Sequence, residues 1–283
     1  MFVMLPQEFA MKLSFHRFQA MGLSLVAFNL FFPFVVLTIA AQTVVARAEP
    51  QAKSAELEIP AGTILPVRLN HALSSKSAEA GQEVTGRIMQ NVPLPNHDEI
   101  RAGAKVSGRI VSVQRAGNGT DGKISFRFDT LETHGRRISI VTNLRAIAGF
   151  MEVQAAQTPE FTPGFGTPYI WANTRQIGGD EVYGVGGPVN SENSGEVGKG
   201  VYGGVLVHVR ARPESKCRGP LDAEDRLQAL WVFSSDACGV YGIQGVTIAH
   251  AGRTAPIGEI AMGAEQRDLL VRGASGMLLR VIQ

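Results

Sequence analysis

Charged residues are scarce in this sequence. Asp, Glu, Lys and Arg make up 18% of its 283 residues, and 27 basic residues stand against 25 acidic ones. Nucleic-acid-binding domains carry a clear basic excess, so the near-even balance argues against a nucleic-acid partner. Hydrophobic residues account for 45% of the chain, which is too apolar for an intrinsically disordered protein. The sequence therefore predicts a folded protein with a sizeable core.

Charged residues are absent altogether between Arg17 and Arg47. Basic residues precede this apolar stretch and the small residues of Ala46-Arg47-Ala48 follow it, which is the order found in secretory signal peptides. We expect residues 1–48 to be a signal peptide that is cleaved after Ala48. The alternative is an uncleaved anchor with membrane contact through residues 18–46, because about 20 apolar residues cross a bilayer. Both predict export to a periplasmic, membrane-anchored or secreted location.

Cysteine is nearly absent, since Cys217 and Cys238 are the only two in the chain. Two thiols in an oxidising compartment pair readily, so the predicted export favours a disulfide between them. A loop of this size would constrain the unfolded chain by about 3 kcal/mol. A nucleophilic cysteine or a metal site is the weaker interpretation, because no base or cluster of further ligands lies at close spacing. We expect no bound metal and no cofactor.

The composition does not favour helices, because 32 Gly and 14 Pro interrupt the chain. Short alternating segments predict strands instead, most clearly Lys123 to Asp129, where Ile124, Phe126 and Phe128 share one face. The one helix candidate is Leu221 to Leu230. Six strands are predicted towards the C-terminus, over residues 205–209, 230–233, 246–250, 256–260, 268–271 and 277–281.

Two short patterns recur along the chain. Ile59-Pro60-Ala61-Gly62-Thr63 returns as Ile100-Arg101-Ala102-Gly103-Ala104, and Val84-Thr85-Gly86-Arg87-Ile88 returns as Val106-Ser107-Gly108-Arg109-Ile110. Together with Leu65 to Leu69 and Leu73-Ser74-Ser75, these segments resemble the β-barrel of the TrbI family. Proteins of that family are envelope-spanning channel components of conjugative type IV secretion. The resemblance covers about residues 58–142 and implies a barrel fold.

These observations predict a mainly β fold, namely a TrbI-like β-barrel with a Gly-rich insertion and additional C-terminal strands. The predicted parts are a signal segment over residues 1–48, a linker over 49–55, the N-terminal part of the barrel over 56–148, a Pro/Gly-rich insertion over 149–204 and a C-terminal β part with the disulfide over 205–283.

Few residues form patterns associated with catalysis. The cluster Gly198-Lys199-Gly200 lacks the Ser or Thr of a phosphate-binding loop. Ser235, Asp236 and His250 supply the residue types of a serine hydrolase, but no Gly-x-Ser-x-Gly elbow surrounds the serine. The carboxylates that a glycosidase would need cannot be paired from the sequence.

Aromatic residues near the second cysteine are the candidate contact residues. Trp231, Phe233 and Tyr241 offer large surfaces to a ligand or partner, although they would equally fill the core around a disulfide. We expect an exported cell-envelope protein with a structural or binding role and no catalysis, whose partners are envelope proteins or cell-wall components. The alternative is a secreted serine hydrolase or carbohydrate-active enzyme with its site near Ser235, Asp236 and His250.

Overall fold

Strands dominate the chain over residues 59–160, 172–210, 217 and 226–283, which are the residues that the computed structural model describes. The predicted mainly β fold is confirmed. The predicted signal segment and linker lie outside the described residues. Among the described residues, no helix has the length and apolar character needed to cross a membrane.

The largest sheet has ten strands, which we number with the others in chain order. Alternating β-branched and aromatic residues form it, with Ile124, Phe126 and Phe128 all buried on one face as predicted. Its spatial order is β16 (Gly239–Tyr241), β9 (Thr142–Ala148), β20 (Gly276–Val281), β1 (Ile64–Leu69), β3 (Glu83–Ile88), β6 (Lys105–Gln114), β7 (Gly122–Thr133), β18 (Ile260–Ala264) and β17 (Val246–Ala251), with β8 (Arg136–Ser139) beside β7.

The two end strands of this sheet, β16 and β17, are not paired with each other. The large sheet is therefore open. The described strands form several sheets, and none of them closes into the barrel that we expected. Two small pairs complete this part of the fold: β2 (Leu73–Ser74) with β19 (Leu270–Val271), and β4 (Val92–Pro93) with β5 (Glu99–Ile100).

A second sheet contains most of the described part of the predicted Gly-rich insertion. Six strands follow one another in chain order, each pairing with the next in antiparallel fashion. The predicted boundary at residue 204 coincides with the turn of one of its hairpins. The strands are β10 (Asn173–Arg175), β11 (Glu181–Tyr183), β12 (Pro188–Ser191), β13 (Gly195–Val201), β14 (Gly204–His208) and β15 (Leu227–Ala229).

The second sheet packs on the outer face of β1, β9 and β20. Val189, Val197 and Val207 of this sheet are buried in one cluster with Ala146 and Leu278 of the large sheet. A short helix, α1 (Phe150–Ala156), follows β9 directly and adds buried residues to the same cluster. The Gly-rich region is thus a folded layer that shares a core with the rest.

Three local predictions are wrong. Residues 227–229, inside the predicted helix Leu221 to Leu230, form strand β15, because they extend the second sheet beside β14. The predicted strand over residues 230–233 is a turn, and most of 256–260 is a turn that leads into β18. Helix α1 was not predicted, since a run of only seven residues gives little periodic signal.

Candidate functional site

An exposed tyrosine stands at the hairpin between β13 and β14. Val201 pairs with Gly204, so the turn consists only of Tyr202 and Gly203. Gly203 has φ 82°, a conformation that glycine adopts without strain, and this allows so tight a turn. Tyr202 projects into solvent with 86% of its surface exposed, the largest fraction among the exposed hydrophobic residues described.

The turn at Trp231 faces this hairpin. Trp231 has φ 55°, which is uncommon for a residue other than glycine, and its side chain is 3% exposed. Its backbone N–H donates to Oε1 of the buried Gln90 at 2.7 Å, and Gln90 Nε2 donates to the Val205 carbonyl at 2.8 Å. Gln90 therefore ties the Trp231 turn to strand β14.

A second glutamine holds the same turn from the other side. In the orientation that satisfies both ends of its amide, the Gln176 nitrogen donates to the carbonyls of Trp231 at 3.0 Å and Val232 at 3.2 Å. Backbone bonds add to this, because Ile177 N–H donates to the Val232 carbonyl at 2.8 Å. An unusual backbone conformation of this kind persists where its surroundings hold it.

A pocket of about 260 Å³ lies between the hairpin and the Trp231 turn. Tyr202 supplies its exposed aromatic surface, Gln157, Thr174 and Gln176 supply polar groups, and the nearly buried Trp231 and glycine backbone form part of the wall. None of the described residues that line it is charged. We call this the Tyr202 pocket.

A further depression of about 480 Å³ lies on the other side of Tyr202. Met89, Pro93 and Leu206 give it apolar surface, and Glu99 is the only charged residue among its described lining. Glu99 accepts a hydrogen bond from Asn91 at 3.1 Å. Tyr202 thus lines two concave surfaces.

The three predicted contact residues have different positions. Trp231 lines the Tyr202 pocket, whereas Phe233 is completely buried in the core between the sheets. Tyr241 is half-buried in β16, and its hydroxyl accepts a hydrogen bond from the Cys238 N–H at 3.0 Å. Of the three, only Trp231 lines a concave surface beside the Tyr202 hairpin.

Ser235, Asp236 and His250 do not form a hydrolase constellation. The Ser235 side chain is fully buried, and its hydroxyl has no hydrogen-bond partner among the described residues. Asp236 accepts a hydrogen bond from the neighbouring Ser234 hydroxyl at 2.9 Å. His250 lies near the end of β17 and contacts the residues that follow the strand, with Nε2 lying 2.8 Å from Oγ1 of Thr254. A nucleophile needs an exposed oxygen bonded to a base, and neither condition is met here.

The predicted disulfide between Cys217 and Cys238 is confirmed. It lies beside β9, where Arg145 is 1% exposed and donates from Nη2 to the Arg210 carbonyl at 2.8 Å. Burial, followed by the positive charge of Arg253, lowers the pKa of Arg145 to about 10, while Asp236 opposes the change. Arg145 remains charged at neutral pH, and the disulfide fastens residue 217 next to a buried cation.

The structure gives no support for two other kinds of site, a phosphate-binding loop at Gly198 to Gly200 and a metal site among the described residues. Gly198, Lys199 and Gly200 are part of strand β13 and form no loop. The described residues contain no group of three His, Cys, Asp or Glu side chains placed to hold a metal ion.

Tyr202 was missed by the sequence analysis, which treated residues 149–204 as an insertion. The available sequence signal was an aromatic residue followed by Gly203 and Gly204. This turn-like sequence stands between two segments that each show the residue alternation of a strand. No sequence pattern indicated the role of Gln90, because its partners Val205 and Trp231 lie more than a hundred residues away in the chain.

No protein-family model, curated protein or solved structure matches this chain.

Proposed function

We propose that this chain is an exported cell-envelope binding protein without catalytic activity, and that the Tyr202 pocket binds an uncharged sugar unit of a cell-wall component. The observation that carries the proposal is the exposed Tyr202 ring beside a pocket whose described lining includes no charge. The absence of charge disfavours phosphates, nucleotides and acidic peptides, because each needs a compensating cation.

The chemistry of the lining favours a sugar over a purely apolar ligand. The C–H face of a sugar packs on an aromatic ring, and its hydroxyls exchange hydrogen bonds with amide and hydroxyl groups such as those of Gln157 and Thr174. The glycine wall at Gly203 and Gly204 lets a flat ligand approach the backbone closely. The depression beyond Tyr202 would accommodate a second sugar unit of the same chain.

The disulfide is typical of an oxidising, exported environment. Within that environment we propose a periplasmic or surface location, which the signal-like segment over residues 1–48 supports. We also propose that residues 58–142 are related to the TrbI family. The recurring turns support this relation, since Gly62 and Gly103 both have φ 90° and each precedes a strand of the large sheet.

Titration calorimetry with an uncharged probe, the trimer of N-acetylglucosamine, tests the proposed site in the full chain. An aromatic contact contributes about 0.5–1.5 kcal/mol, so Tyr202→Ala should raise Kd roughly three- to tenfold. Tyr202→Trp should retain binding, because it keeps an aromatic face.

Tyr183→Ala is the matched control, since Tyr183 is an exposed tyrosine of the same sheet that does not line the pocket. It should leave Kd unchanged. Absence of saturable binding to the trimer, or equal losses in both alanine variants, would refute the site.

A further inference from the structure

Four basic residues form one row across the outer face of the large sheet. Arg68 of β1 lies opposite Arg87 of β3, which lies opposite Lys105 of β6. Lys105 is in turn opposite Glu132 of β7, and Glu132 is opposite Arg137 of β8. Neighbouring strands are about 4.8 Å apart, so the row crosses five strands over about 19 Å.

This row carries uncompensated positive charge. Lys105 pairs with Glu83 at 3.0 Å and Arg137 pairs with Glu132 at 2.8 Å. No carboxylate of the described residues forms an ion pair with Arg68 or Arg87, both of which are exposed. In a chain whose whole formal charge is +2, the row sets four bases against Glu132 and the neighbouring Glu83, an excess of two positive charges.

Part of this arrangement opposes folding. Like charges directly opposite each other in a sheet are destabilising, and two such pairs, Arg68 with Arg87 and Arg87 with Lys105, follow one another here. An external anion that lies along the row would remove this repulsion. The row therefore has the character of a binding surface.

The row ends in a depression of about 600 Å³ at the β7–β8 turn. Arg101, His134 and Arg136 join Arg137 in lining it, and Glu132 is the one acidic residue in the described lining. A line of cations that leads into a basic depression fits an extended anionic chain.

Two other anionic partners fit less well. A membrane surface would call for exposed apolar side chains to insert, yet none of the large hydrophobic residues found exposed belongs to β1, β3, β6, β7 or β8. A single-stranded nucleic acid would call for aromatic side chains on which bases stack, and the exposed tyrosines, Tyr183 and Tyr202, belong to the other sheet or its turn.

We propose that the row Arg68, Arg87, Lys105 and Arg137, with the depression at its end, binds a linear anionic polysaccharide of the cell envelope. The polymer's carboxylates lie along the row and replace the missing acidic partners. The surface shares no lining residue with the Tyr202 pocket, and it takes an anionic ligand whereas the pocket takes an uncharged one.

Biolayer interferometry of the full chain on immobilised polygalacturonate tests the proposal. Binding should weaken steadily between about 0.05 and 0.3 M salt, because exposed charges are screened over shorter distances as ionic strength rises. The triple variant Arg68→Gln, Arg87→Gln, Lys105→Gln should bind roughly tenfold more weakly. Neutral dextran should not bind to this surface.

The control triple variant is Arg175→Gln, Lys199→Gln, Arg272→Gln, which removes the same charge from exposed positions outside the row. It should bind like the unmodified chain, and thermal unfolding should show that both variants are folded. If the row variant does not fold, Arg68→Gln alone should still weaken binding.

Three results would overturn the proposal. These are equal losses in the two triple variants, no salt-sensitive binding to polygalacturonate, and tighter binding to anionic vesicles or single-stranded DNA than to the polysaccharide.

Discussion

Three buried glutamines hold together segments that are distant in the chain. Gln90, Gln176 and Gln228 are each less than a tenth exposed. Gln90 and Gln176 fix the Trp231 turn, and Gln228 accepts a hydrogen bond from the Ile64 N–H at 3.1 Å. A buried amide that meets its partners specifies a single arrangement, because any other leaves polar groups unsatisfied.

Gln90→Ala should therefore destabilise the protein more than the loss of side-chain volume alone suggests. The change leaves the Trp231 N–H buried without its acceptor, which costs about 1–3 kcal/mol. Chemical denaturation checks this, with Gln114→Ala as the control because Gln114 is exposed and bonds only the Asp121 carbonyl. Equal midpoints for the two variants would contradict the assigned role of Gln90.

Asp268 joins two other segments at the opposite end of the large sheet. Its carboxylate accepts hydrogen bonds from the Ala116 N–H at 3.0 Å and from the Ser75 hydroxyl at 2.8 Å. These bonds, with the Ala116 N–H as the larger cause, hold the pKa of Asp268 below its ordinary value of 3.8.

A lowered carboxyl pKa gives stability that is present above pH 3.8 and is lost as pH falls through the folded-state value. Wild type should thus exceed Asp268→Asn in free energy of unfolding at neutral pH, and the difference should shrink as pH falls below about 4. Urea denaturation at several pH values measures it. A difference that stays constant from pH 7 to pH 3 would show that the carboxylate charge has no part.

At the scale of the elements, the recurring sequence patterns correspond to equivalent turns. Thr63 N–H donates to the Pro60 carbonyl and Ala104 N–H donates to the Arg101 carbonyl, each at 3.2 Å. The second pattern places Gly86 of β3 opposite Val106 of β6 and Gly108 of β6 opposite Val84 of β3, and a partner strand approaches each glycine closely.

Gly108→Ala should be destabilising, because a Cβ at this position would overlap the carbonyl oxygen of Arg127 on β7. Overpacking of this kind costs about 1–3 kcal/mol. The control is Gly263→Ala in β18, where the nearest atom, Lys123 Cγ, would be 3.6 Å from the new Cβ. Thermal unfolding should separate the two variants, and equal melting temperatures would contradict the close approach.

Local sequence patterns predicted the strands in which apolar and polar residues alternate cleanly. They failed where tertiary contacts determine the local backbone conformation. The segment Lys123 to Asp129 needed only a period of two, which places alternate side chains on one face. Residues 230–233 look like a strand by composition, yet hydrogen bonds from Gln90 and Gln176 bend them into a turn.

At the scale of the whole molecule, the first and last of the described strands pair in one sheet. Strand β1 pairs with β20, and β9 pairs with both β20 and β16, so residues from the two halves alternate across it. Such long-range pairing cannot be read from sequence, because strand order depends on contacts between distant segments. The Tyr202 pocket was unpredictable for the same reason, since residues from near 157 to 232 line it.

The disulfide also joins distant segments, since it ties Cys217 to Cys238, which directly precedes β16 at the end of the large sheet. Replacing both Cys217 and Cys238 by Ala should lower the free energy of unfolding by about 3 kcal/mol, because the unfolded chain regains the entropy of a 21-residue separation. Denaturation of the variant, with reduced wild type as the control, measures the loss. Unchanged midpoints in both, or free thiols in the native unreduced chain, would contradict a stabilising bond.

Binding of an uncharged sugar at Tyr202 is measured residue by residue with NMR chemical-shift mapping. A ¹⁵N-labelled full chain is titrated with the N-acetylglucosamine trimer while amide and indole signals are followed. We expect saturable shifts at residues 201–205 and at the Trp231 amide, with the strands of the basic row unaffected. Shifts absent from the Tyr202 hairpin, or confined to another surface, would contradict this expectation.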